Sequence, residues 1–186
     1  MTEKSTTYPV RVAGVSRDLP LFEVAPGVTI AILNILGDVE LVEAAARALA
    51  EKLDPAMYDV LITAEAKSIP LIHALAVQTR KPYVVLRKTY KSYMGHAIEA
   101  QSVSITTGAM QSLYLDEKDH GLVRGKRVVL VDDVVSTGST QKGMRLVMDK
   151  AGAEVVGEAA IFTEGDPEKW DGFIALGHLP VWVDQD

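Results

Sequence analysis

Asp132 and Asp133 stand side by side at the end of the apolar run Val128-Val129-Leu130-Val131, and a turn of hydroxyls and glycine follows, Ser136-Thr137-Gly138-Ser139-Thr140. A helical pattern resumes at Thr140. Free backbone N–H groups and the helix dipole at such a start, a glycine that admits close approach and several hydroxyls together suit a phosphate dianion. An ordinary N-cap turn uses the same residue types. The carboxylates shift the balance. Close to a phosphate they would repel it, but at a short remove they accept hydrogen bonds from sugar hydroxyls. Acid pair and turn together point to a sugar phosphate.

Such a site needs strand ends to carry it. The chain reads as β-α-β-(hairpin)-β-α-β. Val, Pro and Gly dominate the first thirty or so residues, as short strands and turns. Gly37 to Asp54 follows as a helix capped by Asp38, with Glu40 and Glu43 near its positive end and Leu41, Ala45, Ala48 and Leu49 on one apolar face. Strands are expected at 58–63, at 81–88 and at 126–131, and again from Glu154. Helices are expected from Pro70 and over 140–150, with Gly152 closing the second. "SVSIT" and "SLYL" read as a hairpin turning at Gly108. Near-continuous Val, Ile and Leu strands indicate an α/β fold, a mostly parallel sheet with helices on both faces. Ligands of such sheets bind beyond the carboxyl ends of the strands. Three of those ends carry polar groups here: Glu65 to Ser68, Arg87-Lys88, and Asp132-Asp133 with its turn.

Composition narrows the classes. The 186 residues contain no cysteine, so disulfides and thiolate chemistry are excluded. Net charge is −6, against a nucleic-acid partner or an acidic membrane surface. No apolar run approaches membrane-spanning length, so a cytoplasmic protein is expected. Four scattered histidines show no metal-ligand spacing. Neither G-x-x-x-x-G-K-[ST] nor G-x-G-x-x-G occurs. A receiver domain also has an acid pair after a strand, but early in its chain.

"VVLVDDVVSTGST" closely resembles the phosphoribosyl-pyrophosphate motif of type I phosphoribosyltransferases, and the resemblance extends over roughly 59–165. "TAEAKSIPLIHALA" is similar to the pyrophosphate loop of that family's adenine enzymes, and "VVLRK" to their V-R-K strand end. The resemblance implies that Asp132 and Asp133 hold the ribose hydroxyls and that Ser136, Thr137, Gly138, Ser139 and Thr140 bind the 5′-phosphate. It implies that Ala66, Lys67 and Ser68 meet the pyrophosphate, with Arg87, Lys88 and Lys91 adding positive charge. Asp132, Asp133, Lys67 and Arg87 become the expected catalytic set, and Asn34 and Val134 the base contacts. Asn34 reads equally well as a turn residue before the helix. Mg²⁺ is implied as cofactor, held mainly by phosphoribosyl pyrophosphate (PRPP) and water, with Asp132 and Asp133 reached through water. A homodimer is implied, with residues of one subunit reaching the other's site. The expected layout is a hood over 1–37 with a contribution from 165–186, a core over 38–164 and a lid over about 89–115.

The implied reaction transfers a phosphoribosyl group from PRPP to a purine in salvage, with adenine placed slightly ahead of xanthine, guanine and hypoxanthine. A non-catalytic PRPP-sensing regulator of the same fold is the alternative. Two departures from the adenine enzymes bear on this. Lys67 and Ser68 stand where they have Arg and Gly, and a serine there is strained if the turn needs positive φ. Thr106-Thr107-Gly108 stands where their lid hairpin has Glu-Tyr-Gly, with Glu99 as a substitute acid.

Overall fold

The computed structural model describes residues 6–103 and 110–184. In chain order the elements are β1 (Thr7–Val12), β2 (Val15–Ala25), β3 (Val28–Ala31), α1 (Val39–Lys52), β4 (Val60–Ala64), α2 (Ile69–Thr79), β5 (Tyr83–Leu86), β6 (Ile98–Val103), β7 (Met110–Leu115), α3 (His120–Val123), β8 (Arg127–Val135), α4 (Ser139–Ala151), β9 (Glu154–Glu164), β10 (Ile174–Leu179) and β11 (Val181–Val183).

Five strands form one sheet in the order β10-β9-β8-β4-β5, parallel at every pairing. Both faces are covered, which explains the unbroken apolar runs. Leu61, Val129, Val131 and Ile161 pack into one core with α1 and α2. Val60, Ile62, Val128 and Leu130 pack into a second with α4 and the β6–β7 hairpin. Adjacent residues of one strand thus serve opposite cores, as the two-residue period of a strand requires.

β8 departs from expectation. It continues through both aspartates to Val135, because Asp132, Val134 and Val135 still pair with Ala160, Phe162 and Thr163 of β9. Its pairing with β4 ends at Leu130. Beyond that point the strand is bonded on one side only, and the Thr63 hydroxyl donates to the Val131 carbonyl at 2.7 Å across the parting.

A second sheet, β1-β2-β3-β11, is antiparallel and joins the two ends of the described chain. Arg17 of β2 ties it to α1: its Nε and Nη2 lie 2.8 Å from the two oxygens of Asp38. Asp38 caps α1 as expected, accepting from Leu41 N–H, and the Arg17 guanidinium holds its carboxyl below the usual range. The α1 face is broader than expected. Val42, Ala44 and Ala46 are buried beside Leu41, Ala45 and Leu49, whereas Ala48 is only half-buried.

The hairpin forms with longer arms than expected, in register from Ile98↔Leu115 to Val103↔Met110. Thr106, Thr107 and Gly108 lie outside the described residues. The hairpin seats on α4 at Gly143, where a Cβ would stand 3.0 Å from Leu113 Cδ1. No described helix is long and apolar enough to cross a membrane.

Gly177 in β10 faces the ring of Phe162 in β9, and a Cβ there would lie 2.7 Å from Phe162 Cε1. The ring is 3% exposed and cannot swing away. Gly177→Ala is expected to cost about 1–3 kcal/mol through overpacking, lowering Tm by about 2–4 °C per kcal/mol in a chain of this size. A thermal melt of the variant checks this, and an unchanged Tm would mean the ring has room to move.

Candidate functional site

The carboxyl ends of β4, β5 and β8 meet in one cleft of about 270 Å³, lined by Ala64 to Ser68, Lys88, Asp132 to Val134 and Thr140. The three polar strand ends singled out in the sequence therefore do converge. A second cavity of about 210 Å³ shares Lys88 and Thr140 with it and runs under the hairpin past Ser102, Gln111 and Ser112.

The acid pair sits where β8 has parted from β4, and the first turn of α2 fills the parting. Ser68 Oγ lies 2.7 Å from Asp132 Oδ1 and 3.0 Å from Asp133 Oδ1, and the Asp133 N–H donates back to Ser68 Oγ at 3.0 Å. Gln141 from α4 donates its Nε2 to Asp132 Oδ2 at 2.8 Å. Ser68, Asp133 and Gln141 are all buried. Ser68 thus turns its hydroxyl toward the carboxylates. It sits at φ −79°, so serine carries no left-handed strain there. Burial, and then the neighbouring Asp133 charge, push the Asp132 carboxyl up to about 7.

The turn after β8 is built as expected. Gly138 adopts φ +76°, in the left-handed region, and precedes Ser139, the first residue of α4. The Thr137 and Ser139 hydroxyls lie 3.0 Å apart. Ser136 is exposed, and Thr137, Ser139 and Thr140 are half-buried. The first N–H groups of a 13-residue helix thus open beside the acid pair.

The cations are arranged less simply. Lys67 lines the cleft but points its ammonium at the Leu33 carbonyl, 3.4 Å away. Arg87 pairs with Glu65, whose second oxygen accepts the Lys88 N–H at 2.7 Å. That pairing raises the Arg87 pKa. The Lys88 side chain lines the cleft, whereas exposed Lys91 is not among the lining residues. Glu65 stands in one of the three polar strand ends read from the sequence, but its role was not assigned there, because its partners Arg87 and the Lys88 N–H lie 22 and 23 residues away. Gln141 was missed too, being an ordinary residue of a helical first turn.

Glu99 does not enter the cleft. Its Oε1 accepts from Gln101 Nε2, Ser112 Oγ and Tyr114 OH within the hairpin, and these donors lower its pKa. Asn34 is exposed, and its Oδ1 accepts the Leu36 N–H at 3.2 Å, which is the turn role anticipated for it. Its neighbour Leu33 is the residue whose carbonyl Lys67 reaches, and Asn34 itself is not among the residues that line the cleft. Val134 lines the cleft and packs on the α1–α2 core. Among the described residues no group of three or more His, Cys, Asp or Glu side chains could hold a metal.

Comparisons with known proteins agree with this geometry. A family model described as the phosphoribosyl transferase domain matches residues 32–175. A hypoxanthine/guanine phosphoribosyltransferase of Methanotorris igneus is 33% identical over 130 residues, covering 70% of this chain and 67% of that protein. One from Methanococcus voltae is 38% identical over 108 residues, covering 58% and 54%. The chain thus spans about half to two thirds of these relatives. Among solved structures, an adenine phosphoribosyltransferase from Thermoanaerobacter pseudethanolicus superposes with TM-score 0.66 at 20% identity, covering 93% of this chain and 95% of that one. One from Giardia lamblia gives 0.67 at 13% identity, covering 92% and 93%. The fold is that of type I phosphoribosyltransferases.

The raised Asp132 pKa sets the sign of a pH effect on stability. Between about pH 4 and about pH 7 the folded chain holds a proton that the unfolded chain has released. This contribution to stability is therefore full at the acid end of the window and is lost as pH rises through about 7. Asp132→Asn removes this pH dependence. The variant is expected to melt several degrees above the parent at pH 8 and to approach it as pH falls to about 4. Equal Tm differences at both pH values in ligand-free protein would exclude Asp132 as the source.

Proposed function

From the premise that the chain belongs to the phosphoribosyl transferase family, we propose that it transfers the 5-phosphoribosyl group of PRPP to a purine and releases pyrophosphate. The observation that carries this is the single cleft in which a buried acid pair, a helix-opening hydroxyl turn and two lysines meet.

In this reading the turn from Ser136 to Thr140 takes the 5′-phosphate through backbone N–H groups and hydroxyls. Asp132 and Asp133, oriented by Ser68 and Gln141, accept hydrogen bonds from the ribose hydroxyls. Ala66, Lys67 and Lys88 face the pyrophosphate. Arg87 serves the leaving group indirectly, by holding Glu65 against the Lys88 N–H. A purine ring nitrogen attacks C1′, the bond from C1′ to the pyrophosphate oxygen breaks, and the ring N–H proton leaves to the medium. Charge develops as an oxocarbenium-like sugar and a departing polyanion, so the protein acts by positioning, by stabilising the leaving charge and by excluding water.

The two carboxylates and the absence of a protein cation cage among the described residues fit Mg²⁺, which binds through few carboxylates, phosphates and retained waters. Asp132 and Asp133 would hold it through water, and it would supply charge neutralisation between pyrophosphate and ribose oxygens. The β1-β2-β3-β11 sheet serves as the hood. Phe22 pairs with Ile30 and Ile30 with Val181, so these three apolar side chains share one face. Phe22 is 64% exposed. Val181 stands against Gly165 at the carboxyl end of β9, which brings that face toward the strand ends. A flat apolar wall beside a polar cleft suits a purine ring.

Asn34 bears on the base. Because its oxygen is taken by the Leu36 N–H, its amide nitrogen is the group left to offer. A donor matches the carbonyl of a 6-oxopurine and opposes the amino group of adenine. This moves hypoxanthine and guanine ahead of adenine, which the pyrophosphate-loop resemblance favoured.

Pyrophosphate release from PRPP and Mg²⁺, measured over adenine, guanine, hypoxanthine, xanthine, uracil and orotate, is expected to show turnover with a 6-oxopurine. Asp133→Asn should lower kcat/KM about 10–100-fold, the scale of a lost charge-assisted hydrogen bond. Asn34→Ala should narrow the preference over adenine, and Phe22→Ala should raise KM for the base while sparing KM for PRPP. No turnover with any base, alongside intact PRPP binding, would overturn the enzyme reading and favour a PRPP sensor.

A further inference from the structure

The phosphate turn is held by a residue that its own motif does not contain. Gly138 takes φ +76°, and the direction in which a side chain would leave it is filled by the indole of Trp170, 3.4 Å at Cη2 and 3.5 Å at Cζ3 from an ideal Cβ. The indole is anchored at both ends. Its N–H donates to the Glu164 carbonyl at 2.9 Å, and its ring meets Phe173 edge-on at a centroid distance of 5.6 Å.

These anchors belong to a separate piece of chain. Pro167–Trp170 forms a short 3-10 turn after β9, started by the Asp166 carboxylate accepting the Glu168 N–H at 3.1 Å. Gly165 N–H donates to the Leu179 carbonyl at 3.1 Å, and the Gly165 carbonyl lies 3.0 Å from His178 Nε2. The crossing from β9 to β10 is thus tied down at Gly165, where it leaves β9.

A glycine in the left-handed region is not confined there by any side chain of its own, and fixing it carries the largest conformational entropy of any residue. An anion-binding turn built on such a glycine gains from an external wall. We propose that Trp170 is a positioning residue for this turn, limiting the backbone at Gly138 to the shape that receives a sugar 5-phosphate, and that its fluorescence reports when the turn is filled. The proposal rests on the reading of 136–140 as the 5′-phosphate site.

The chain has two tryptophans, Trp170 and Trp182. In a Trp182→Phe background all tryptophan emission comes from Trp170. Titration with ribose 5-phosphate is expected to change that emission saturably, with the Kd found by calorimetry, and inorganic phosphate should do so more weakly. Trp170→Ala should raise the Kd for ribose 5-phosphate about tenfold and KM for PRPP in parallel, with kcat little changed. Trp170→Phe, which keeps a ring against Gly138, should recover most of the affinity. Should Trp170→Ala fail to fold, the emission titration and Trp170→Phe still decide. Normal calorimetric binding with silent emission and an unchanged Kd in the Trp170 variants would overturn the proposal alone. No binding of ribose 5-phosphate to the parent would overturn the site reading and the proposal with it.

Discussion

The site depends on one strand losing a neighbour. β8 is paired on both sides up to Leu130, and from Asp132 to Val135 on the β9 side alone. A strand buried on both faces and both edges has no place for carboxylates, because an unpaired buried charge is costly. One partner fewer frees that edge of β8 beyond Leu130. Ser68, at the start of α2, brings it a hydroxyl that contacts both acids. The acid pair is therefore half inside the sheet. β9 fixes its backbone, and donors from α2 and α4 fix its side chains.

That placement explains which features were legible in sequence. The alternation of Val, Ile and Leu in 60–64 and 127–135 demands cover on both faces, so the parallel sheet follows from it. The acid pair and the hydroxyl turn are contiguous, so local pattern shows them. The partners that orient them are remote: Ser68 lies 64 and 65 residues from the acids it contacts, and Glu65 lies 22 from Arg87. No periodicity links such positions. Gln141 and Trp170 are legible only once α4 and the crossing after β9 are in place. The end of β8 was set too early for a related reason. Propensity stops a strand at two aspartates, whereas pairing with β9 carries it on.

Lys67 and Arg87 each take a partner within the chain that lies far from them in sequence. Arg87 is matched by Glu65, and Lys67 is drawn to a backbone carbonyl of the chain entering α1. Near a cleft that also holds two carboxylates, free cations would collapse onto the acids. Partners at Glu65 and Leu33 hold them apart from the pair.

Asp132 completes this electrostatic arrangement. Two neighbouring carboxylates in a confined site cannot both be charged cheaply, and the shift of Asp132 toward neutrality relieves that repulsion. Near pH 7 the acid pair thus stands between two charge states. Protonated Asp132 lowers the negative potential that an incoming phosphate meets, while ionised Asp132 is the stronger acceptor for sugar hydroxyls. Ser68 suits both, since its oxygen can donate to one carboxylate and accept from the Asp133 N–H at once. Glycine at position 68 would leave the pair without that shared hydroxyl. The departure from the adenine enzymes at this position is therefore an added constraint on the acids, and it acts on the half of the site that, in the proposed function, would handle the sugar.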